Sequence, residues 1–288
     1  MTATAALTER TGPRRYPSLS RYASALRSPK GIIGITIIVV LGSAALLAPV
    51  IFPAGPDVQS RDALLGISAQ HVFGTDEYGR DLLTRNLYGL RIDLFIILTA
   101  VPLSMILGTL LGLTGAISER FGSIVQRCLD VIVGFPGLIL GICIVVILGP
   151  GWFPIFLTIL ITGLPSAGRL SRAVLLRERD REHVLAARVL GVPRWKILLR
   201  HILPFTVESA LVNAAVWMVI GVYIGAGLSI VGLGVQPPTP SLGVLINGGM
   251  RYIYQAPTYV LFPALILVLI AIAFGFIADA LNERTAKR

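Results

Sequence analysis

The sequence predicts an all-α integral membrane protein with six transmembrane helices and both termini in the cytoplasm. Three observations lead there. The mean hydropathy is +0.79 and only 14% of the residues are charged, whereas a soluble domain carries about 25% charge. Six long runs contain no Asp, Glu, Lys, Arg or His. The net charge is nevertheless +10, and twenty of the 25 Lys and Arg fall in segments that six spans would place on one face of the bilayer. The positive-inside rule makes that face cytoplasmic.

The elements follow in order. Residues 1–30 form a basic cytoplasmic tail in which Arg10, Arg14, Arg15, Arg21, Arg27 and Lys30 outweigh Glu9. The next run, Gly31–Phe52, is 22 residues long. That exceeds the roughly 7–15 residues of a signal-peptide core. At 1.5 Å per residue it reaches about 33 Å, enough for a hydrocarbon core of about 30 Å. It reads as an uncleaved first transmembrane helix, residues 31–52. Residues 53–93 form an extracytoplasmic segment of mixed charge. Residues 94–282 hold the other five spans: Leu94–Ile117, Val131–Leu148, Trp152–Gly168, Ser209–Val235 and Thr258–Ala278. The helix-breaking step Gly149-Pro150-Gly151 separates the third from the fourth, and the fourth has room to extend past Arg169. Leu242–Met250 is partly apolar and is expected to dip back toward the membrane. Residues 283–288 are a cytoplasmic tail. Gly-xxx-Gly pairs at Gly108/Gly112, Gly137/Gly141 and Gly221/Gly225 predict helix-packing seams, because small residues let helices approach closely in lipid.

Composition narrows the function. Basic residues confined to loops do not form the polar face of a nucleic-acid binder. Cys128 and Cys143 have no metal-ligand spacing and read as small core residues. Proton- and ion-coupled carriers usually keep an ionisable group at depth. Here the nearest candidates, Asp93, Asp130, Glu208 and Asp279, stand at span ends. A proton-driven carrier is disfavoured, while a sodium site built of carbonyls stays open. No residue pattern for intramembrane hydrolysis occurs, and no catalytic, cofactor-binding or metal-ligating set is assigned. None of the three lysines follows a glycine, so a phosphate-cradling Gly-Lys loop is absent. If ATP drives transport, a partner chain binds the ATP and its Mg.

Residues 169–204 supply the next step. Arg169 to Leu190 lacks Gly and Pro and predicts one helix, with Arg177 to Glu182 as a solvated charged face. Gly191 stops it and Pro193 can start another. Two helices would meet at a bend, with Val184, Ala186, Ala187 and Leu190 as an apolar surface near it. The stretch resembles the "EAA" loop of bacterial ABC importer permeases. Ala186-Ala187 leads, Gly191 follows at the family's distance, and Leu203-Pro204 closes the pattern. Leu185 stands where the family usually has Glu, which puts a charge-assisted contact there in doubt but not the bend. In that family the loop is the helix that docks into the ATPase. The resemblance therefore implies a coupling role for Val184, Leu185, Ala186, Ala187, Leu190, Gly191, Leu203 and Pro204. A bulky charge at Ala187 or Gly191 should then uncouple transport.

Two further stretches resemble the C-type permease of dipeptide, oligopeptide and nickel importers. One is Gly74-Thr75-Asp76 and Gly79-Arg80-Asp81 followed by Arg85, Tyr88, Gly89 and Arg91. From the residues alone it is an Asp/Gly turn leading into an amphipathic helix at the outer interface. The other is 228–243, with Gly232, Gly234, Gln236, Pro237 and Pro238 in the family's pattern and Leu242 in place of tryptophan. Asp130 with Phe135-Pro136 also fits, whereas Ala278-Asp279-Ala280-Leu281-Asn282 departs from the usual ending. The resemblance runs from about residue 30 to 282. It implies a MetI-like type I importer fold, a second B-type permease, two ATP-binding subunits, an extracytoplasmic solute-binding protein, and residence in the bacterial inner membrane. The expected cargo is di- or oligopeptides. Nickel, haem or another small solute is the alternative within the class. A stand-alone channel or carrier, or a membrane scaffold, is the alternative outside it. Arg80 with Asp81 reads as an interfacial salt bridge, and Tyr252, Tyr254 and Tyr259 read as an interfacial anchor. No substrate-contacting residue is assigned.

Overall fold

The computed structural model describes residues 24–286. The sequence-predicted tail at residues 1–23, with four of its basic residues, lies outside the described residues, as do Lys287 and Arg288.

The described residues form an all-helical bundle. Ser28 caps the first long helix, α1 (Pro29–Ile51), by accepting from the Gly31 amide at 3.2 Å, and Pro29 opens it. The second, α2 (Leu82–Leu113), is capped by Asp81. Then come α3 (Glu119–Val133), α4 (Gly137–Leu148), α5 (Trp152–Arg179), α6 (Glu182–Val189), α7 (Arg194–Ile197), α8 (Leu203–Ile230), α9 (Leu242–Met250) and α10 (Thr258–Ala286). Five helices are long and apolar enough to cross a membrane, and six if α3 and α4 are taken as one broken span.

Two spans differ from their expected form. The sequence separates an amphipathic interfacial helix after the Asp/Gly turn from a span starting at Leu94, but α2 is one helix of 32 residues. Its first turns carry Arg85 and Asn86, which are buried under the loop before the helix rather than exposed at an interface. Covered by protein, these polar turns need no lipid–water boundary. The third run, Val131–Leu148, is not a straight span. The chain turns by 90° between α3 and α4. Pro136 has no N–H to donate and disfavours helical geometry in the residue before it.

The core is made where α2, α5, α8 and α10 meet. Ile96, Ile97, Ala100, Val101, Ile155, Ile159, Val222, Leu228 and Ile270 are buried there. The most extensive pairing is α2 on α5, and small residues make it possible. A Cβ at Gly112 would stand 2.2 Å from the Gly168 carbonyl oxygen, and one at Gly108 would stand 2.7 Å from the Ala167 Cβ. Ser104 Oγ donates across the same seam to the Leu160 carbonyl at 2.7 Å. The Gly108/Gly112 pair is therefore a close-approach seam. Gly221 and Gly225 have ordinary clearance and do not set a spacing.

The exterior is apolar where lipid would lie. Val39, Val40, Leu46, Val146, Ile147 and Val268 are among the exposed side chains of the spans. Cys128 and Cys143, expected in the core, are both exposed. They sit on the outward sides of α3 and α4, the peripheral arm of the bundle. The segment expected to dip back toward the membrane is α9, which is short, has a buried face, and packs on α8, α10 and α2.

The α2–α5 seam gives a prediction with a sign. In an open helical position Gly→Ala stabilises by roughly 0.8–1 kcal/mol. At Gly42 nothing lies within 4 Å of an added Cβ, so Gly42→Ala should raise the melting temperature of the purified protein. Gly112→Ala should lower it, as overpacking costs about 1–3 kcal/mol. Equal shifts at the two sites would show that the seam is not close-packed.

Candidate functional site

Two sites gather the residues singled out in the sequence, one at each end of the bundle. At the end formed by the loop before α2, the organising atoms are those of the Asp76 carboxylate, which is wholly buried. Gly74 and Gly79 hold left-handed backbone with φ of +85° and +70°. An added Cβ at either would meet a carbonyl oxygen at 2.4 Å, that of Leu65 or Ser60, so only glycine fits. Thr75 Oγ1 accepts from the Leu65 amide at 2.9 Å and donates to the Asp62 carbonyl. The turn so formed aims Asp76 inward. Its Oδ1 accepts from the Tyr78 and Arg80 amides, both at 2.9 Å. Its Oδ2 meets Arg80 Nε at 2.6 Å and Arg85 Nε at 3.4 Å.

Arg85, 2% exposed, ties three segments together. Its Nη1 donates to Asp57 Oδ1 at 3.0 Å and to the Pro56 carbonyl at 3.2 Å, and its Nη2 donates to the Pro238 carbonyl at 3.4 Å. A rigid five-donor fork is suited to such a junction. The two sequence segments around residues 74–85 and 232–238 thus meet through one side chain. Arg80 pairs with Asp76 rather than with Asp81. Asp81 instead accepts from the Thr84 amide at 2.8 Å, capping α2, and meets His71 Nδ1 at 3.0 Å. The 76–80 turn brings the Arg80 side chain back over the Asp76 carboxylate, while Asp81 is turned toward the start of α2.

Beyond α8, Gly232 takes φ of +86° and ends the helix. The Gln236 side-chain amide donates to the carbonyls of Gly232 and Gly234 at 3.2 and 3.0 Å. Gly234 packs so tightly on Ser229 that a Cβ would stand 2.1 Å from its Oγ. The Pro237–Pro238 peptide is cis. Asp93 Oδ2 then accepts from the Leu242 amide at 2.9 Å and Ser241 caps α9. A cavity of about 480 Å³ lies among these parts, lined by Arg80, Arg85, Gln236, Pro237, Pro238 and Tyr259 among others. The three tyrosines do not form one anchor. Tyr259 is buried and Tyr254 is fully exposed. The sequence reading missed Asp57, whose role depends on a contact 28 residues away.

At the opposite end, α5 continues to Arg179 and the chain breaks at Asp180 before α6. The expected single helix over Arg169–Leu190 is therefore two. At the break Glu178 is buried rather than part of a solvated face, and Arg177 Nε and Arg181 Nε approach its carboxylate at 3.1 and 3.0 Å. Val184 and Ala187 pack inward with Leu113, Leu175, Ile197 and Ile202. Leu185 and Ala186 face outward, as do Val189, 88% exposed, and Leu190, 81% exposed. Gly191, at φ +75°, reverses the chain, with its amide donating to the Arg188 carbonyl and that of Val192 to the Ala187 carbonyl, both at 3.0 Å. Pro193 starts α7. A π-helical turn, Leu198–Ile202, joins α7 to α8, whose first residues are Leu203 and Pro204. The result is an apolar knob on a short elbow that runs into a long span.

This geometry and fold define a class of protein. The profile of the family described as binding-protein-dependent transport system inner membrane component matches residues 101–288, and the chain belongs to that family. It is a multi-pass inner-membrane transport subunit of an ATP-driven importer, with ATP hydrolysis on partner chains. Family members work with a companion permease, an ATPase and a binding protein. The chain is 35% identical over 278 residues to the di/tripeptide transport system permease protein DppC of Pseudomonas aeruginosa, covering 93% of this chain and 92% of that one. It is 33% identical over 275 residues to the dipeptide transport system permease protein DppC of Alkalihalophilus pseudofirmus, covering 93% and 90%. Its fold is that of a chain of the MetNI methionine ABC transporter in an inward-facing conformation, with a TM-score of 0.53 and 18% identity over 69% of this chain and 94% of that one. The MetI-like expectation holds.

The buried clasp is open to test. Removing one partner of a buried ion pair costs about 3–5 kcal/mol. Arg85→Ala and Asp76→Ala should each lower the yield of folded protein and expose residues 53–81 to proteolysis. Arg85→Lys should not rescue, because one ammonium cannot reach Asp57, Asp76 and the Pro238 carbonyl together. Asp81→Ala removes the α2 cap and the partly exposed contact to His71, and should cost about 1–2 kcal/mol. Similar losses for Asp81→Ala and Arg85→Ala in thermal melts would refute this ranking.

Proposed function

We propose that this chain forms half of the passage of an ABC importer for di- or oligopeptides. The observation that carries the reading is the full-length likeness to permeases named for dipeptide and di/tripeptide transport, at 33–35% identity over 93% of the chain. In this reading a B-type permease supplies the other half of the passage, two ATP-binding subunits bind ATP and Mg, and a solute-binding protein outside delivers the peptide. Both termini are cytoplasmic, supported by the side on which the basic residues gather.

The elbow is the coupling loop. Its exposed Leu185, Ala186, Val189 and Leu190 form the surface offered to the ATPase, and Val184 and Ala187 fasten it to the bundle. The α7–α8 junction gives the coupling its physical basis. No flexible linker separates the elbow from α8, so a displacement of α6 and α7 is carried into a span. When ATP draws the ATPases together, the two elbows move with them and the passage changes the side on which it is open. With Leu185 in place of a glutamate, the contact on that side of α6 is apolar.

Two measurements test this. Labelled di- and tetrapeptide uptake should vanish when the chain is deleted and return with the intact gene. Peptide uptake that persists, alongside lost uptake of nickel or haem, would discard the peptide. For the elbow, the informative substitutions are Val189→Asp and Leu190→Asp. Ala187 is packed inside, so a charge there breaks the elbow itself rather than its contact. A desolvated charge in an apolar contact costs several kcal/mol, so uptake should drop at least about tenfold with the amount of chain in the membrane unchanged. Undiminished uptake in both variants would remove the coupling assignment.

A further inference from the structure

One carboxamide lies inside the apolar runs, where it joins α8 to Ser166 of α5 and to Met105 of α2. Asn213 is the sole Asn or Gln in the six charge-free runs. Polar side chains in such runs are placed where a neighbouring helix or a cavity satisfies them. Asn213 is half-buried on α8 and borders a cleft of about 850 Å³ between the α3–α4 bend, α5 and α8. That volume lies within the 300–1,000 Å³ typical of small-molecule sites.

The cleft wall has an ordered chemistry. Asn213 Nδ2 lies 3.0 Å from Ser166 Oγ, and that hydroxyl lies 3.1 Å from Asn213 Oδ1. One turn earlier on α5, Thr162 Oγ1 donates to the Thr158 carbonyl at 2.6 Å, which leaves its lone pairs as acceptors. Phe135 and Trp217 supply apolar wall. At one end stands Arg169, whose Nε is 3.8 Å from Asp130 Oδ1, with both side chains about half exposed. A pair so long and so hydrated is weakly held, and its guanidinium can exchange that carboxylate for another.

We infer that this cleft is the peptide-contacting wall of the passage. Asn213 and Ser166, with Thr162, hydrogen-bond the peptide amide group, and Arg169 receives the peptide's terminal carboxylate. The inference rests on the peptide reading above. An amide and two hydroxyls match the backbone that all peptides share, and the apolar wall accepts varied side chains without selecting among them. Neutral groups also bind weakly, since a net hydrogen bond between neutral partners contributes about 0.5–1.5 kcal/mol. A passage must release what it takes up. A carboxylate-binding arginine at one end would orient the chain without a compensating acid deep in the membrane.

The test uses the complete importer in proteoliposomes with its binding protein, fed a labelled dipeptide or the same dipeptide amidated at its C-terminus. Uptake per ATP hydrolysed is read for the unaltered complex and for Asn213→Leu, Ser166→Ala and Arg169→Gln. Asn213→Leu should lower uptake per ATP about fivefold, and Ser166→Ala should lower it less. Arg169→Gln should reduce the preference for the free carboxylate over the amide by about fivefold or more. The binding protein is the same throughout, so a changed ratio arises in the permease. Unchanged ratios in Asn213→Leu and Arg169→Gln would overturn the inference. So would uptake that falls only in step with ATP hydrolysis or with the recovered amount of complex, which would make the cleft a packing surface, including one against the companion permease. If the unaltered complex moves neither dipeptide, the peptide reading itself fails, and the inference with it.

Discussion

The end of the bundle formed by the loop before α2 depends on one buried carboxylate. Asp76 is fully removed from solvent and is met by the guanidinium groups of Arg80 and Arg85. Desolvating these ions costs more than a simple contact returns, unless their remaining hydrogen-bonding positions are filled. Here they largely are, by amides of the 76–80 turn, by Asp57, and by the carbonyls of Pro56 and Pro238. The same set of bonds fixes the loop before α2, the start of α2 and the exit from α8. The course of the chain on either side follows from it, including the buried seat of α9 and the cap that Asp93 gives it.

Within the bilayer the constraint is different. Lipid is as apolar as leucine, so helices gain little from hiding aliphatic surface and associate by close packing instead. The α2–α5 seam shows the consequence. Gly108 and Gly112 bring backbone against backbone, Gly163 makes room for the Ser104 side chain, and Ser104 donates across the gap. The broken arm, α3 and α4, is held less closely, and its bend opens a cleft against α5 and α8. A rigid seam beside an open cleft is a sound division for a protein that must move one part against another.

The two ends also differ in how their polar groups are used. At the clasp they are buried, mutually satisfied and rigid. At the elbow the acid Glu178 is buried between Arg177 and Arg181 where the chain leaves α5, and the surface beyond it is aliphatic and exposed. Exposed aliphatic groups on a short, well-fastened element suit an interface that forms with another protein. The apolar knob, the π-helical turn and α8 make one continuous path from that surface to the membrane interior.

Much of this was legible in the sequence, because the relevant signals are local. Long charge-free runs marked the apolar helices. Gly191 and Pro193 set the elbow, since a left-handed residue and a missing N–H act on their own turn of chain. Gly74, Asp76 and Gly79 announced a tight turn for the same reason. What the sequence could not settle was which side chains face one another across long separations. It paired Arg80 with Asp81, although the tertiary fold places Asp76 beneath both Arg80 and Arg85. It read Val131–Leu148 as a single span and the helix after the Asp/Gly turn as interfacial, because hydropathy averages over direction and cannot see a 90° turn or a covering loop. It placed Cys128 and Cys143 in the core, although in lipid the apolar outside of a helix has the same composition as its inside. The sequence by itself determined the membrane class and the turns, which rest on composition and on short-range backbone chemistry. Only the tertiary structure decided the clasp, the burial of Glu178 and the cleft beside Asn213, because each depends on groups that the folded chain alone brings together.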